Sequence, residues 1–555
     1  MLTIALMLGP VAAGVLGTLA PALGWMPALG GTRLGLGAVA ELFAWPGLPR
    51  AVGLSLGVGL VSTLVSLAIV TLIVAGWQGT RAFALIERAL SPLLSVPHAA
   101  AAFGLAFLIA PSGWIARAVS PWATGWDQPP DLLIVQDPWG MALVMGLVAK
   151  EVPFLLLMTL AALAQARPGR SRLVAGALGY RPVTGWLKTV FPQVYRQIRL
   201  PVFAVLAFSM TTVDVAIILG PNTPPPLSVQ VVRWMNDPDL ALRFRAAAGA
   251  MLQLALVIGA LALWRLAEIA LARLGCRWIE RGGRGHRAVE GGLRAVSLGL
   301  GVASALAVFA GLAGLAIWSV AGLWPFPDAL PSDVTLRGWH RHGPGLGAPL
   351  AETLILGAAV TLIALVLTIA CLEAEHRHGL RPATRALWLL YLPLIVPQVA
   401  FLMGFQTLAL SAGVDGGRAA VILAHLVFVL PYVFLSLADP WRAWDSRQDT
   451  VARALGAGAD RVLWAVRLPM LLRPVLTAAA VGFAVSVGQY LPTLLVGAGR
   501  VQTLTTEAVA LAAGGDRRLI GIHALAQTGA ALAPFLLAIL LPRILWRNRQ
   551  GVQGG

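Results

Sequence analysis

The chain has 555 residues, of which 58% are hydrophobic and only 12% are charged, and its mean hydropathy is +0.80. A soluble globular domain has about 25% charged residues, so this composition excludes an ordinary soluble protein. The net charge of +17 does not indicate nucleic acid as a partner, because the basic residues are concentrated in loops between long apolar segments.

Twelve apolar segments are predicted to cross a membrane as helices, which makes the expected fold class all-α. A helix needs about 20 apolar residues to cross the hydrocarbon core, and its backbone groups must be satisfied within the segment. No Lys or Arg precedes Arg33, so the first segment is predicted to be a retained anchor rather than a signal peptide. The segments lie at about 3–24, 51–76, 92–111, 139–164, 200–220, 247–270, 294–322, 349–373, 386–411, 419–438, 474–497 and 523–546.

Charge alternates between the two sides of these segments. The region 165–199 is basic and contains no acidic residue, 439–473 is rich in arginine, and 112–138 has Arg117 against three aspartates. Basic loops remain on the cytoplasmic side of a membrane, so we predict that both basic regions and both termini are cytoplasmic. The basic residues of the first region are Arg167, Arg170, Arg172, Arg181, Lys188, Arg196 and Arg199.

The second half of the sequence repeats the first. "LSLG" at 54–57 corresponds to "LILG" at 354–357, and "SVPHAAAAFG" at 95–104 corresponds to "IVPQVAFLMG" at 395–404. This offset of 300 falls to 277 further along because the first half has about 23 extra residues around 111–138. Each half has six segments, an even number, so the halves are predicted to be parallel repeats with a transport path at their interface.

The repeat divides the chain into three regions. We predict a first transmembrane half at 1–274 and a second transmembrane half at 293–555. Between them, residues 275–292 ("GCRWIERGGRGHRAVEGG") are rich in Gly and Arg and poor in apolar residues. This composition is typical of a linker, here on the cytoplasmic side.

A structured polar loop is predicted in each half. In the first, "RSRLVAGAL" should form a short helix that stops at Gly179, a residue suited to a left-handed C-cap, and "RPVTGWLKTV" a second helix that ends at Pro192. In the second, "DTVARAL" should stop at Gly456, and "RVLWAVRL" should be capped by Asp460 and closed by Pro469. The second helix of each loop carries apolar side chains that predict docking on another surface, namely Trp186, Val190, Trp464 and Val466.

These loops resemble the signature of permeases of binding-protein-dependent ATP-binding-cassette (ABC) importers. That signature reads E-A-A, three residues, G, nine residues, I, one residue, L-P. Both copies keep the spacing of thirteen from Gly to Pro, and both depart from the signature at its glutamate, which is replaced by Leu173 and Thr450. The resemblance extends over both six-segment cores, which is essentially the whole chain.

The resemblance implies that each loop is a coupling helix seated in one of two cytoplasmic ATPase subunits, and that a periplasmic binding protein delivers the solute. It also implies a bacterial inner-membrane location. Neither Lys150 nor Lys188 follows a glycine, as the lysine of an ATP-binding loop does, so ATP is expected to be used by the separate ATPase, with no cofactor or metal on this chain. The coupling residues are expected to be Ala175, Gly179, Arg181, Trp186, Pro192, Ala452, Gly456, Asp460, Trp464, Leu468 and Pro469.

Within the family, the layout resembles the fused double permeases of the iron(III), thiamine and polyamine branch. "VDVAIILGPNTPPPLSV" at 213–229 is most similar to fused permeases assigned to thiamine import. The resemblance therefore implies a small cationic solute such as thiamine, with a polyamine as the alternative.

Three charged residues lie inside predicted membrane segments. Lys150 and Glu151 fall near the middle of the fourth and Asp214 near the middle of the fifth. Each costs about 2.5–3.5 kcal/mol at a helix centre, so each is expected to face the protein interior. We predict that Lys150 pairs with Asp214 and that Glu151 faces the path, although a purely structural ion pair is equally compatible. Gln489 and Tyr490 are further path candidates, with core packing as the alternative.

Other classes of membrane protein fit less well. An ion-gradient-driven secondary transporter with two six-helix halves is compatible with Asp214 and Glu151 but does not account for the doubled loop. A membrane enzyme is disfavoured because no cluster of catalytic residues falls on one face. "EAEHRHG" at 373–379 is interpreted as a solvated helix end rather than a metal site. Cys276 and Cys371 map near the cytoplasmic side, where a disulfide is not expected.

Overall fold

The computed structural model describes residues 2–166, 168–380, 384–414 and 416–545. Arg167 of the first basic region and residues 546–555 of the predicted second half lie outside the described residues. The helices of the first half are α1 (Leu2–Ala22), α2 (Gly37–Phe43), α3 (Leu48–Trp77), α4 (Arg81–Leu90), α5 (His98–Ile109), α6 (Trp114–Val119), α7 (Met141–Ala166), α8 (Pro168–Ala177), α9 (Pro182–Thr189), α10 (Phe191–Thr211), α11 (Asp214–Leu219), α12 (Leu227–Met235) and α13 (Leu242–Glu280).

The second half continues the helical architecture. Its helices are α14 (Arg287–Val320), α15 (Arg337–His342), α16 (Gly347–Arg377), α17 (Thr384–Ile395), α18 (Gln398–Ser411), α19 (Arg418–Arg442), α20 (Ser446–Ala454), α21 (Ala459–Val462), α22 (Leu468–Met470), α23 (Leu472–Val487), α24 (Leu491–Gly497), α25 (Leu504–Ala510) and α26 (Arg517–Leu545). Shorter elements are the hairpin strands β1 (Trp25–Met26) and β2 (Gly31–Thr32), the 3₁₀ turns Pro27–Leu29, Ser91–Ser95, Gly343–Leu346 and Leu511–Ala513, and the π-helix Leu463–Arg467.

Nine of the described helical segments are long and apolar enough to cross a membrane, or eleven if two bent pairs each count as one span. The all-α membrane fold is confirmed, but the predicted number of twelve is too high as a count of continuous spans. The ninth predicted segment bends by 88° between Ile395 and Gln398, and the eleventh is divided between α23 and the short α24. The fifth is divided between α10, whose first turns carry Arg196 and Arg199, and the short α11.

The predicted repeat reappears as equivalent breaks in the helices. Pro97 immediately precedes α5, and Pro397 immediately precedes α18. Proline disfavours a helical backbone in the residue before it, which explains why the preceding helical segments stop there. A second pair of breaks separates α10 from α11 near Thr212, and α23 from α24 near Gln489. In membrane transporters, discontinuous helices of this kind surround the solute near the middle of the bilayer.

The first helix of each half packs against the other half. α1 lies along α18, where a Cβ added at Gly404 would be only 2.0 Å from the carbonyl oxygen of Gly14. α14 lies along α5 with Gly104 and Gly311 face to face. Small residues permit this close approach of helix backbones in membranes. The two halves therefore interlock through their N-terminal helices.

Candidate functional site

The first polar loop, residues 168–192, stops its first helix with a Schellman motif. Gly179 has φ of +79°, and its N–H donates to the carbonyl oxygen of Gly176 at 3.0 Å. The N–H of Tyr180 donates to the carbonyl oxygen of Ala175, also at 3.0 Å. This pair of hydrogen bonds satisfies carbonyls that the end of a helix leaves free, and glycine adopts the required left-handed backbone without strain. The predicted stop at Gly179 is confirmed.

The second polar loop, residues 446–469, contains the same motif. Gly456 has φ of +85°, and its N–H donates to the carbonyl oxygen of Arg453 at 2.9 Å. The N–H of Ala457 donates to the carbonyl oxygen of Ala452 at 3.0 Å. Because Ala175 and Ala452 accept the same bond in equivalent loops, the duplicated signature encodes one local structure twice.

Residues of the predicted linker hold α9, the second helix of the first polar loop. The carboxylate of Glu290 accepts hydrogen bonds from the N–H groups of Val183 (3.2 Å) and Thr184 (3.0 Å) and from the Thr184 hydroxyl (2.6 Å). At the other end of α9, Lys188 Nζ donates to the carbonyl oxygens of Trp278 (3.0 Å) and Gly283 (2.9 Å). The Arg181 side chain makes no cap at the start of α9, so Glu290 supplies the N-terminal cap from about 106 residues away in sequence.

Replacing Glu290 by alanine is expected to expose the first turn of α9, because the carboxylate is the acceptor for two of its N–H groups. An N-cap contributes about 1 kcal/mol, so hydrogen exchange of residues 182–189 should accelerate by about fivefold. Hydrogen–deuterium exchange of the purified chain measures this. Glu280→Ala, at the exposed end of α13, is the control and should leave that exchange unchanged. Equal exchange in the parent chain and the Glu290→Ala variant would contradict the cap.

The two loops present their tryptophans differently. Trp464 is 70% exposed and lies in the π-helix Leu463–Arg467, a distortion that often occurs at functional sites. Trp186 was predicted to be presented in the same way, but it is 1% exposed and packs inside the chain, with its ring 6.0 Å from that of Phe191. The prediction of an exposed Trp186 is wrong because α9 turns its apolar face towards the core of the first half.

Two details of the loops also differ from prediction. Gly458, and not Asp460, occupies the N-cap of α21; Asp460 lies in the first turn and accepts a hydrogen bond from Arg377 Nη2 at 2.8 Å. Pro192 lies in the first turn of α10 and Pro469 in the first turn of α22. Pro192 therefore begins the next helix rather than ends the previous one, as expected for a residue that has no N–H to donate. Pro469 lies one residue before the end of the continuous helical run Ala459–Met470, which bends by 75° into α23, so the predicted end of that helix is confirmed. Leu468 begins α22 and is half-buried.

A buried charge network fastens the second polar loop to the end of α16. Arg467 is 1% exposed and forms ion pairs with both Glu373 and Asp449. The Asp449 carboxylate also accepts from Trp444 Nε1 at 2.9 Å and lies 2.7 Å from His376 Nε2. Burial alone raises the pKa of Asp449, but the hydrogen bonds from Trp444 and His376 and the positive charge of Arg467 bring it below its ordinary value of 3.8.

This network does not follow from the sequence pattern. The pattern of 373–379 predicts a solvated helix end, whereas Glu373 points into the protein and Arg377 pairs with it at 2.7 Å. No group of side chains suited to a metal ion occurs in the part of the chain that the structure describes. One sequence signal for this network was available. Thr450 stands at the position of the glutamate in the family signature, and Asp449, the residue before it, supplies a carboxylate.

Lys150 does not pair with Asp214. Its Nζ donates instead to the carbonyl oxygens of Leu93 and Val96, both at 2.6 Å. These carbonyls lie at the break that precedes α5, where the backbone offers acceptors to a buried cation. Asp214 accepts from the Thr212 hydroxyl at 3.1 Å. The predicted ion pair is therefore wrong, and the positive charge of Lys150 is engaged by the backbone of the break.

The other path candidates meet at the breaks in the two halves. Asp214 is the first residue of α11, and Gln489 and Tyr490 immediately precede α24 at the equivalent position. Asp214 and Tyr490 are both half-buried and interact electrostatically across the interface of the halves. Glu151 is buried and interacts electrostatically with Tyr432 of α19. The structure thus places carboxylates of the first half opposite tyrosines of the second.

His425 of α19 is a further residue that the sequence analysis missed. Its Nδ1 lies 3.0 Å from the Ser486 hydroxyl and its Nε2 lies 2.8 Å from the Thr493 hydroxyl. Ser486 belongs to α23 and Thr493 to α24, so the imidazole bridges the two segments on either side of the break. It fixes the geometry of the residues between them, which include Gln489 and Tyr490.

Two interlocked halves, each with broken membrane helices and a Schellman-closed polar loop, define a polytopic transport permease rather than an enzyme. The chain belongs to the ABC transporter permeases of the binding-protein-dependent type. Residues 367–545 match the family described as "Binding-protein-dependent transport system inner membrane component". The chain is 33% identical over 515 residues to the inner membrane ABC transporter permease protein YnjC of Escherichia coli, covering 92% of each chain.

Shorter relatives match part of the chain. The molybdenum transport system permease protein ModB of Mycobacterium tuberculosis is 33% identical over 173 residues, which are 28% of this chain and 66% of that protein. The spermidine/putrescine transport system permease protein PotC of Haemophilus influenzae is 26% identical over 113 residues, or 20% and 44% of the two chains. The relatives are transport permeases, and they place this chain in a bacterial membrane as a multi-pass protein.

Proposed function

We propose that the chain forms both transmembrane halves of an ABC importer in the bacterial inner membrane, with both termini in the cytoplasm. A periplasmic binding protein delivers the solute, and two copies of a separate ATPase bind the two polar loops and use ATP. The observation that carries this proposal is the Schellman-closed loop that occurs at the same position of each half, with Gly179 and Gly456 at its turn. A rigid, closed loop is suited to convert movement of an ATPase into movement of helices.

Uptake by the purified chain in proteoliposomes tests the proposal. In the presence of its ATPase and binding protein, uptake should require ATP and should continue when ion gradients are collapsed. An ion-gradient-driven secondary transporter is the second candidate, because Asp214 and Glu151 are carboxylates in the interior. Uptake that needs a gradient but neither ATP nor the ATPase would favour this alternative.

Trp464 provides the main apolar anchor for the ATPase in this proposal. Large exposed aromatic side chains are frequent hot spots of protein–protein interfaces, where truncation costs about 2 kcal/mol or more. We therefore expect Trp464→Ala to weaken binding of the ATPase by about 30-fold, without a change in the thermal stability of the permease. Affinity between the purified permease and its ATPase is the measurement.

Two control variants make this test specific. Trp122 is 77% exposed but lies in the region 112–138, which is on the periplasmic side in the proposed orientation, so Trp122→Ala should bind the ATPase normally. Trp186→Ala should instead lower the thermal stability of the permease, because Trp186 is buried. If Trp464→Ala binds the ATPase as well as Trp122→Ala does, Trp464 is not an anchor.

The solute that fits the path best is a small cation. The charge of Lys150 is engaged by the carbonyls of Leu93 and Val96, whereas the half-buried carboxylate of Asp214 has no cation among its partners in the described part of the chain and interacts electrostatically with Tyr490. Relatives are named for transport of molybdenum and of spermidine/putrescine, so family membership does not fix the sign of the charge. A carboxylate beside aromatic rings favours an organic cation, and thiamine is the compound to test first.

A further inference from the structure

A groove of about 580 Å³ runs between α3 and α14, outside the sites described above. Trp77, the last residue of α3, forms one wall, and residues of α14 from Gly291 to Val302 form the other. The groove joins an element of the first half to the first helix of the second half. It therefore lies at a junction of the two halves.

Arg294 places a fixed positive charge at one end of this groove. Its guanidinium carbon lies 4.6 Å from the ring centroid of Trp77, and the indole Nε1 of Trp77 donates to the Arg294 carbonyl oxygen at 3.0 Å. Its stem passes so close to Gly76 that a Cβ there would be 2.8 Å from Arg294 Cγ. The side chain is thus oriented before any ligand binds, as in a pre-formed site.

This charge has no carboxylate partner in the described part of the chain. Glu290 lies one turn earlier on α14, but its carboxylate is engaged by Val183 and Thr184 of α9. Arg294 Nε is buried and has no hydrogen-bond acceptor among the described residues. A guanidinium in this state favours an anion, and phosphate oxygens match its fork of N–H donors.

Apart from Arg294, the α14 wall of the groove is open and apolar. A Cβ added at Gly291 or at Gly299 would meet no atom within 4 Å. The lining from Gly291 to Val302 covers eleven helical steps, which is about 16 Å at 1.5 Å per residue. This length and character suit one acyl chain lying along α14.

Two features favour a position of the groove at the level of the phospholipid headgroups. Trp77 ends α3, and Arg172 of the basic first polar loop donates to the carbonyl oxygen of the next residue, Gln78, at 3.3 Å. Tryptophan is enriched at the membrane–water interface, and basic pockets between membrane helices on the cytoplasmic side bind anionic headgroups. We propose that this groove is a binding site for an anionic phospholipid, with its phosphate on Arg294 and one acyl chain along Gly291–Val302.

Native mass spectrometry of the purified chain with phosphatidylglycerol tests the site, and phosphatidylcholine serves as the zwitterionic comparison. Arg294→Gln should weaken retention of phosphatidylglycerol by about fivefold, since it removes one charge that attracts anionic lipid. Gly299→Leu should do the same by filling the groove, without a clash in the protein. Retention of phosphatidylcholine should be weak in the parent chain and unaffected by Arg294→Gln.

Each substitution has a matched control on the exposed surface of α13. Arg277→Gln removes an exposed arginine, and Gly259→Leu adds a leucine at an exposed glycine whose added Cβ also meets no atom within 4 Å. Both controls should retain phosphatidylglycerol like the parent chain, and inorganic phosphate should not displace the lipid. The proposal is overturned if Arg294→Gln and Gly299→Leu retain phosphatidylglycerol as well as the parent chain does. It is also overturned if the parent chain binds phosphatidylcholine as tightly as phosphatidylglycerol, or if inorganic phosphate displaces the lipid.

Discussion

Arg467→Met is expected to lower the stability of the chain by about 3–5 kcal/mol and to release the second polar loop from α16. Arg467 is buried between the carboxylates of Glu373 and Asp449, and removal of one partner of a buried ion pair leaves uncompensated charge behind. Methionine preserves much of the side-chain volume, so the loss arises from charge rather than from a cavity. Thermal unfolding of the purified chain measures the effect.

Arg467→Met should impair ATP-dependent uptake more severely than it lowers stability. The network fixes the loop that carries Gly456 and Trp464, so its release should uncouple the ATPase from the permease. We expect ATP-dependent uptake to fall to background in the Arg467→Met variant. Arg447→Met is the control, because Arg447 is exposed and pairs only with the neighbouring Asp445 in the described structure; it should unfold and transport like the parent chain. Unchanged uptake in Arg467→Met would show that the network has no part in coupling.

The same network predicts a dependence on pH. The folded-state pKa of Asp449 is below 3.8, so its ionised form stabilises the folded chain at and above the pKa of the unfolded state. That contribution is lost as the pH falls through the lower, folded-state pKa. The loop should therefore stay fastened through the neutral range and be released only in strong acid. A loop that detaches in the neutral range would contradict control of the loop by Asp449.

Local structure was predictable from the sequence, and contacts distant along the chain were not. The stops at Gly179 and Gly456 depend on a few consecutive residues, because a glycine with left-handed backbone closes a helix wherever the spacing is right. The burial of Trp186 depends on how the whole of α9 packs against the first half. The residue that caps α9, Glu290, is 106 residues from Thr184 in sequence and lies in a region whose composition predicted only a linker.

The partners of the charged residues inside the membrane were also not predictable from the sequence. The free-energy cost of a charge in lipid was enough to predict that Lys150, Glu151 and Asp214 face the interior. Their partners depended on the breaks in the helices, since a break frees carbonyl groups that a helix would occupy. Lys150 therefore found acceptors in Leu93 and Val96, which no pairing of charges in the sequence would have suggested.

Asp214→Asn is the second change with a large expected effect. The substitution keeps the size of the side chain and an oxygen to accept the hydrogen bond from Thr212 (3.1 Å), but it removes the negative charge that faces Tyr490. A hydrogen bond to a charged group contributes about 1.5–3 kcal/mol. Uptake of a cationic solute should therefore show a KM raised by about 10- to 100-fold, with binding of the ATPase unchanged.

The comparison that decides the role of Asp214 uses two measurements on the same variant. A residue that contacts the solute changes the KM and leaves the melting temperature close to that of the parent chain, whereas a structural residue lowers the melting temperature and leaves the KM alone. Asp127→Asn, an exposed substitution in the region 112–138, should change neither. Because Lys150 is not its partner, loss of the Asp214 charge leaves no buried cation unpaired, and a large loss of stability in Asp214→Asn would contradict a role in the path.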